Sequence, residues 1–367
     1  HHRSSAASDV YKRQIQIDIQ LGLKYALMRL YKITTLNIDL PKQKVAVLGA
    51  GSWGTAIVSI ITENNNVSWW VRRENQKKTI IQEHKNTAYL PNLNMNTSRI
   101  NIYSSLEKII TDSDILIIAI PSEYLELNLE PVKHLFTGKI VLSAVKGVLP
   151  NLNLTPFQYF KTISNIDYGV ISGPCHAEEV AQRKKSYLTI SFKEIEQADK
   201  ILPLFYCNYI HAKSSNDILG TELAAILKNI YALITGVCNG LGYGDNFLAV
   251  IITASTNEMK RLLSLLDQQE RSISKSAYLG DLLVTCYSLH SRNRRFGSHI
   301  GKGLTVDETK SEMKMVAEGY NATKCIYHIL HQRQLIQQAP IVKAAYDILY
   351  NTTNPKSTIR VLSSLIH

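Results

Sequence analysis

A lysine with an amide beside it, set in an otherwise apolar stretch, can move a proton near neutrality. The run Gly220-Thr221-Glu222-Leu223-Ala224-Ala225-Ile226-Leu227-Lys228-Asn229 has that make-up. Burial disfavours an ammonium and lowers its pKa, so Lys228 can serve as general acid or base. Asn229 adds a donor and an acceptor. The plainer reading is a lysine that snorkels its charge to the surface. Asp281, after Tyr278-Leu279-Gly280, opens an apolar helix. Against Lys228 it would orient the ammonium and oppose the desolvation shift; otherwise it is a helix cap. In Ser291-Arg292-Asn293-Arg294-Arg295-Phe296-Gly297, three arginines in four positions can grip phosphate in bidentate fashion, or form a solvated basic turn. Ser172-Gly173-Pro174-Cys175-His176-Ala177 follows a strand and opens a helix, whose amides could hold substrate oxygens. Cys175 and His176 are adjacent and so do not face each other, which argues against a cysteine nucleophile. No histidines show metal-ligand spacing.

These groups need a scaffold. Lys44-Val45-Ala46-Val47-Leu48 reads as a buried strand, and Gly49, Gly51 and Gly54 then form G-x-G-x-x-G ahead of the apolar helix Thr55–Ile61. That context is the dinucleotide fingerprint: a tight turn, close backbone approach to pyrophosphate, and close helix–strand packing. A second strand, Val67–Val71, ends in Arg72-Arg73, where an acid would select NAD and an arginine accommodates the 2′-phosphate of NADP. The cofactor expectation is therefore NAD(P)H with a lean to NADPH, unless these arginines only open the next helix. Further strands are read at 100–103, 114–122, 139–143, 168–172 and 187–191, with helices at 74–84 and 104–110. From about residue 217 the texture turns helical, with long helices expected at 221–237, 245–266 and 306–332.

The fold class is thus α/β: an N-terminal Rossmann-like, mostly parallel sheet with a C-terminal all-helical domain. The domains are placed at 41–215 (dinucleotide binding) and 216–367 (substrate and catalysis). Residues 1–40 are set aside as a cloning or sequencing remnant plus a variable extension, with Met28 as a candidate start and a helix over 15–38 as the rival reading. The chain of 367 residues is 45% hydrophobic and 19% charged, which excludes a disordered chain. Its formal charge of +11 is scattered, which suits anionic small substrates at least as well as nucleic acid. The cysteines at 175, 207, 238, 286 and 325 are odd in number and form no C-x-x-C, so a reducing cytoplasm is expected. The most apolar stretch, 223–256, is interrupted by Lys228, Asp245 and several glycines, and reads as two buried helices rather than a membrane span.

The segments together resemble the NAD(P)-dependent glycerol-3-phosphate dehydrogenase family, bacterial type. The resemblance is carried by Gly49-Ala50-Gly51-Ser52-Trp53-Gly54-Thr55-Ala56, Lys146-Gly147, Ser172-Gly173-Pro174, Glu222 with Lys228-Asn229, Gly240-Leu241-Gly242-Tyr243-Gly244-Asp245-Asn246, Gly280-Asp281-Leu282, Ser291 to Gly297 and Val316-Ala317-Glu318-Gly319. They run in family order over about 42–350. The resemblance implies reversible hydride transfer between NAD(P)H and dihydroxyacetone phosphate, giving sn-glycerol 3-phosphate for phospholipid synthesis. It implies Lys228 as proton donor and acceptor. Lys146, Gly173, Cys175, Asn229, Asp281, Ser291, Arg292 and Asn293 would line the substrate. Gly49, Gly51, Ser52, Trp53, Gly54, Arg72, Arg73, Lys146, Ala177, Arg292, Val316 and Glu318 would line the cofactor. One departure is Cys175, where bacterial relatives usually carry a hydroxyl; a thiol is a weak donor, which leaves that contact to backbone. A homodimer without metal, nucleic acid or membrane span is expected. The rivals are a related two-domain β-hydroxyacid-type dehydrogenase and a non-catalytic cofactor-binding protein.

Overall fold

Alternation within the strands decides the layering. The computed structural model describes residues 43–313 and 317–366; the readings made for residues 1–40 and for Val316 lie outside the described residues. Strand β1 (Val45–Leu48) sends Val45 and Val47 to one apolar cluster and Ala46 and Leu48 to another. Strand β4 (Ile115–Ile118) does the same, so the sheet is buried on both faces, as a parallel sheet covered by crossover segments must be. The other strands are β2 (Val67–Trp70), β3 (Ile100–Tyr103), β5 (Ile140–Ser143), β6 (Asp167–Ser172), β7 (Ser186–Phe192) and β8 (Ile210–Ser215). Their order is β3-β2-β1-β4-β5-β6-β7-β8, and all pairs are parallel except β6–β7. The order reverses between β1 and β4. Ligands of open α/β sheets bind at that switch point, beyond the carboxyl ends of the strands.

Two local expectations shift. Strand β8 carries no strand signal in sequence, since His211-Ala212-Lys213-Ser214-Ser215 is polar; it lies at the sheet edge, where β7 alone supplies its ladder. The short helix after β3 is Leu106–Thr111, and Ser105 rather than Ser104 caps it, its hydroxyl accepting from Lys108 N at 3.1 Å.

The helical part is built round one element. Helix α2 (Ile218–Gly240) is buried from Gly220 to Cys238, and helix α3 (Asp245–Leu266) follows a glycine turn. Among the described residues α2 is long and apolar enough to cross a membrane, but it is the centre of the helical core. After it come α4 (Asp281–Tyr287), α5 (Arg292–Gly301) and α6 (Glu318–Gln332), with further helices at Val306–Glu312, Pro340–Leu349 and Pro355–Ser363. The single helix expected over 306–332 is two. The backbone is extended at both Met313 and Ala317; Gly319 then lies against Asn229 of α2 and Asn293 of α5, and Glu318 reaches Ser122. The arginine-rich stretch, read as a loop, is the helix α5, capped by Ser291.

Helices α2 and α5 touch backbone to backbone. A Cβ on Gly297 would strike the Leu233 carbonyl, and one on Gly236 would strike the Arg294 carbonyl. Substituting Gly297→Ala gains roughly 1 kcal/mol of helix propensity. The clash is with carbonyl backbone that cannot swing aside, and overpacking of that kind costs about 1–3 kcal/mol or more. Gly297→Ala is expected to lower the urea midpoint with an unchanged slope; an unchanged midpoint would show that α2 and α5 separate freely.

Candidate active site

The glycine turn is pinned from behind. Gly49 has φ +123°, and a Cβ there would meet the Ala119 carbonyl oxygen at 2.5 Å. The indole of Trp69 donates to the Gly49 carbonyl at 2.9 Å, while Gln76 and Asn86 donate to Ala50 O at 2.8 and 3.0 Å. A Cβ on Gly54 would strike the Gly49 carbonyl, so Gly54 lets helix α1 (Ser52–Ile61) sit close on the turn. Gly51 by contrast faces open space. Among the described residues no side chain caps α1, so its first N–H groups are available to an anion. The Trp53 indole nitrogen is buried without a partner among the described residues. An open glycine, an uncapped helix start and an orphaned donor together fit a dinucleotide.

This turn forms one end of a cleft of about 310 Å³. Gly49, Gly51, Ser52, Trp53, Arg72, Arg73, Lys146, Cys175, Ala177, Lys228, Asn229, Ser291, Arg292, Asn293 and Glu318 all line it. Arg72 and Arg73 are exposed at its rim; Arg73 also occupies the N-cap position of the Glu74–Glu83 helix, so the two readings of this pair are compatible. Of the three clustered arginines only Arg292 reaches the cleft. Arg294 donates to the Tyr287 carbonyl at 2.7 Å and Arg295 is exposed, so the expected triple phosphate grip is reduced to one guanidinium and the start of α5.

Lys228 does not snorkel. It is 4% exposed, and its Nζ lies 2.5 Å from Asp281 Oδ1. The other carboxylate oxygen is 3.7 Å from Lys146 Nζ and accepts from Ser172 Oγ at 3.3 Å. Asp281 thus sits behind the cleft wall and is held by two ammonium groups rather than capping α4. Burial lowers the Lys228 pKa to about 8, helped by the Lys146 charge and opposed by Asp281. Burial would also raise the Asp281 pKa, but the two lysines hold it below the usual carboxylate value. For Lys146, Asp281 outweighs the cost of burial and leaves it above the ordinary lysine value. The Lys146 ammonium also lies over the Trp53 ring, 5.4 Å from its centroid.

A chain of amides keeps these groups in register. Asn229 donates to Lys146 O at 2.6 Å, Asn293 donates to Asn229 Oδ1 at 2.9 Å, and Gly319 N donates to Asn293 Oδ1 at 2.8 Å. Glu318 accepts from both Ser122 N and Ser122 Oγ across the two halves of the molecule, and burial raises its pKa. Gly173 lies beneath the wall at φ +131°, its carbonyl accepting the Cys175 thiol at 3.1 Å. Burial pushes that thiol to about 11, which removes it as a nucleophile.

Glu222 lies away from the cleft. It is fully buried, and accepts from Phe157 N at 2.9 Å and Tyr168 OH at 2.6 Å, tying α2 to the sheet. Several groups at the site had no sequence signal of their own. Asp217 caps α2 and is clasped by Arg271 through two bonds of 2.6 and 2.9 Å and by the Tyr278 hydroxyl, which anchors the segment leading to Asp281. Thr285 and His290 also line the cleft, as does His176, whose ring was read only as a partner for Cys175. Thr285 could have been found as the residue one turn beyond Asp281 on the same helix face.

The chain matches two family models, the NAD-dependent glycerol-3-phosphate dehydrogenase N-terminus over residues 44–198 and the corresponding C-terminus over 217–360. It is 35% identical to a glycerol-3-phosphate dehydrogenase [NAD(P)+] of Bacillus cytotoxicus over 86% of this chain and 94% of that one. Identity to the enzyme of the same name from Bacillus subtilis is also 35%, over 87% and 94%. Among solved structures, glycerol-3-phosphate dehydrogenase from Coxiella burnetii superposes with a TM-score of 0.81 at 26% identity, covering 87% of this chain and 98% of that one. The chain belongs to the NAD-dependent glycerol-3-phosphate dehydrogenase family.

Proposed function

We propose that this chain catalyses the reversible NAD(P)H-dependent reduction of dihydroxyacetone phosphate to sn-glycerol 3-phosphate, a backbone unit of glycerophospholipids. The observation that carries the reading is Lys228, buried at the centre of the cleft on Asp281 and close to neutrality in pKa. Residues 41–215 serve the cofactor, and 216–367 the substrate.

When bound, the reduced nicotinamide supplies the hydride. The chain's own work is to manage charge and geometry around the ketone. As the ketone becomes an alkoxide, its oxygen needs a proton, and Lys228 delivers one from its ammonium. Asp281 holds that ammonium in one rotamer and stabilises it, so the lysine remains charged in a site that would otherwise neutralise it. Lys146 shares the carboxylate and adds positive charge beside the developing oxyanion. Asn229, fixed by Asn293 and by Lys146 O, offers polar atoms that orient the substrate. Thr285, Arg292 and the start of α5 receive the phosphate, and their binding energy positions the reacting end. Gly173 shapes the wall that Cys175 completes. Arg72 and Arg73 favour the 2′-phosphate of NADPH at the rim. All five thiols are free, which fits a reducing cytoplasm; a homodimeric state rests on the family resemblance.

Turnover is read as oxidation of NADPH or NADH with dihydroxyacetone phosphate. Lys228→Ala is expected to lower kcat by about 10²–10⁴ while NADPH still binds, a range set by loss of a general acid; near-normal kcat would overturn the assignment. The pH dependence has a defined sign. Ketone reduction needs Lys228 protonated and should fall as pH rises through about 8, whereas alcohol oxidation needs it neutral and should rise through the same value. Asp281→Asn removes the charge that raises the Lys228 pKa, so both inflections should move to lower pH; a profile that stays in place would exclude Asp281 as the partner. Arg72→Ala with Arg73→Ala should raise KM for NADPH about tenfold, the loss of a charge-assisted contact, and leave KM for NADH nearly unchanged. Equal effects on both cofactors would contradict the NADPH lean.

A further inference from the structure

Position 176 carries a titratable ring at the edge of the substrate end of the cleft, and nothing in the reaction above uses it. His176 stands at the N-cap position of the Ala177–Ala181 helix, directly after Cys175, and its ring lines the cleft. Nε2 lies 3.4 Å from the carbonyl oxygen of Val284, the residue before Thr285. A carbonyl can only accept, so Nε2 carries the hydrogen. In the neutral ring Nδ1 is then a bare acceptor, and the ring can donate a second hydrogen bond only as imidazolium. The His290 ring, next to Ser291 and Arg292, lies 6.3 Å away centroid to centroid, and it too lines the cleft.

We propose that His176 is a substrate-recognition residue that takes a proton from solvent when a phosphorylated substrate enters, and then holds the phosphate with Thr285 and Arg292 while His290 flanks it. This rests on the phosphate placement proposed above. The charged groups around His176 set the direction. Lys228 on α2 and Lys146 after β5 repel a proton on the ring, Asp281 on α4 attracts one, and Cys175 beside it is a neutral thiol. Glu178 and Glu179 lie on or beside its own helix, the His290 ring stands opposite it just before α5, and Arg292 at the start of α5 lines the same cleft. Burial, with the two lysines, keeps the free ring below the ordinary histidine value and therefore neutral at pH 7. A phosphate dianion adds negative charge beside the ring and reverses that balance. Substrate binding and ring protonation are then linked: each favours the other, and affinity rises as pH falls through the range in which the bound ring is protonated but the free ring is not.

The test is calorimetry of sn-glycerol 3-phosphate binding to the NADPH-saturated chain in two buffers of different ionisation enthalpy, alongside KM for dihydroxyacetone phosphate from pH 6 to 8.5. The wild type should take up a proton on binding, and KM should rise with pH. His176→Phe should abolish most of the uptake and raise KM about tenfold near pH 6.5, the scale of one charge-assisted bond, with a much smaller fall in kcat. His176→Gln, which keeps a donor but cannot titrate, should restore much of the affinity with the proton uptake still absent. Both variants titrate the same ligand, so the phosphate's own ionisation cancels in the comparison. Wild-type proton uptake and an unchanged KM profile in both variants would overturn this role while leaving the reaction intact. A wild-type chain that neither binds sn-glycerol 3-phosphate nor reduces dihydroxyacetone phosphate would overturn both readings together.

Discussion

Two ammonium groups gathered on one buried carboxylate govern this molecule. A lone ammonium or carboxylate taken from water costs several kcal/mol even after relaxation, and usually neutralises instead. Asp281 escapes that outcome because Lys228 and Lys146 approach its two oxygens from different elements, and Ser172 donates to one of them. The arrangement is over-supplied with positive charge by one unit. Burial, helped by that surplus, lowers Lys228 toward neutrality. The cost of burial and the chemistry of the site therefore have a common origin.

Positions this demanding require stiff supports, and the supports are unusual in being mostly backbone. Lys228 rides on α2, whose neighbour α5 comes so close that glycines are needed on both helices at the crossing. Close approach leaves no room for side-chain adjustment, so α2 and α5 behave as one block that carries Lys228, Asn229, Arg292 and Asn293 together. The amide chain from Lys146 O through Asn229 and Asn293 to Gly319 N then joins that block to the loop after β5 and to the start of α6. Each link satisfies a buried polar group, and losing any one would leave its partner unpaired at a cost of about 1–3 kcal/mol.

Two further carboxylates stitch the sheet to the helices. Glu222, two turns before Asn229 on α2 and outside the cleft lining, holds the start of the Pro156–Phe160 helix and the Tyr168 hydroxyl. Glu318 clasps Ser122 just beyond β4, beside the switch point where the dinucleotide turn lies. Gly147 lies against that clasp; a Cβ on it would collide with both Glu318 and Ser122. The sheet and the helical part are thus joined beside the point where the strand order reverses.

The sequence by itself determined the glycine turn, seven of the eight strands and the apolar helix that bears Lys228, since each of these is written in local periodicity or in a short run of residues. It also marked about half of the residues that line the cleft, the charged and glycine positions above all. It could not tell a snorkelling lysine from a buried one, nor a capping aspartate from a counter-ion. Lys228 and Asp281 are 53 positions apart, and only the packing of α4 on α2 brings them to 2.5 Å. The polar edge strand β8 and the break before Glu318 were invisible for the same reason, being stabilised by neighbours rather than by their own residues. Tertiary structure also decided that one arginine of three faces the cleft and that His176 does so as well. Which way a side chain points is set by what packs behind it, and that information is held in contacts between distant segments.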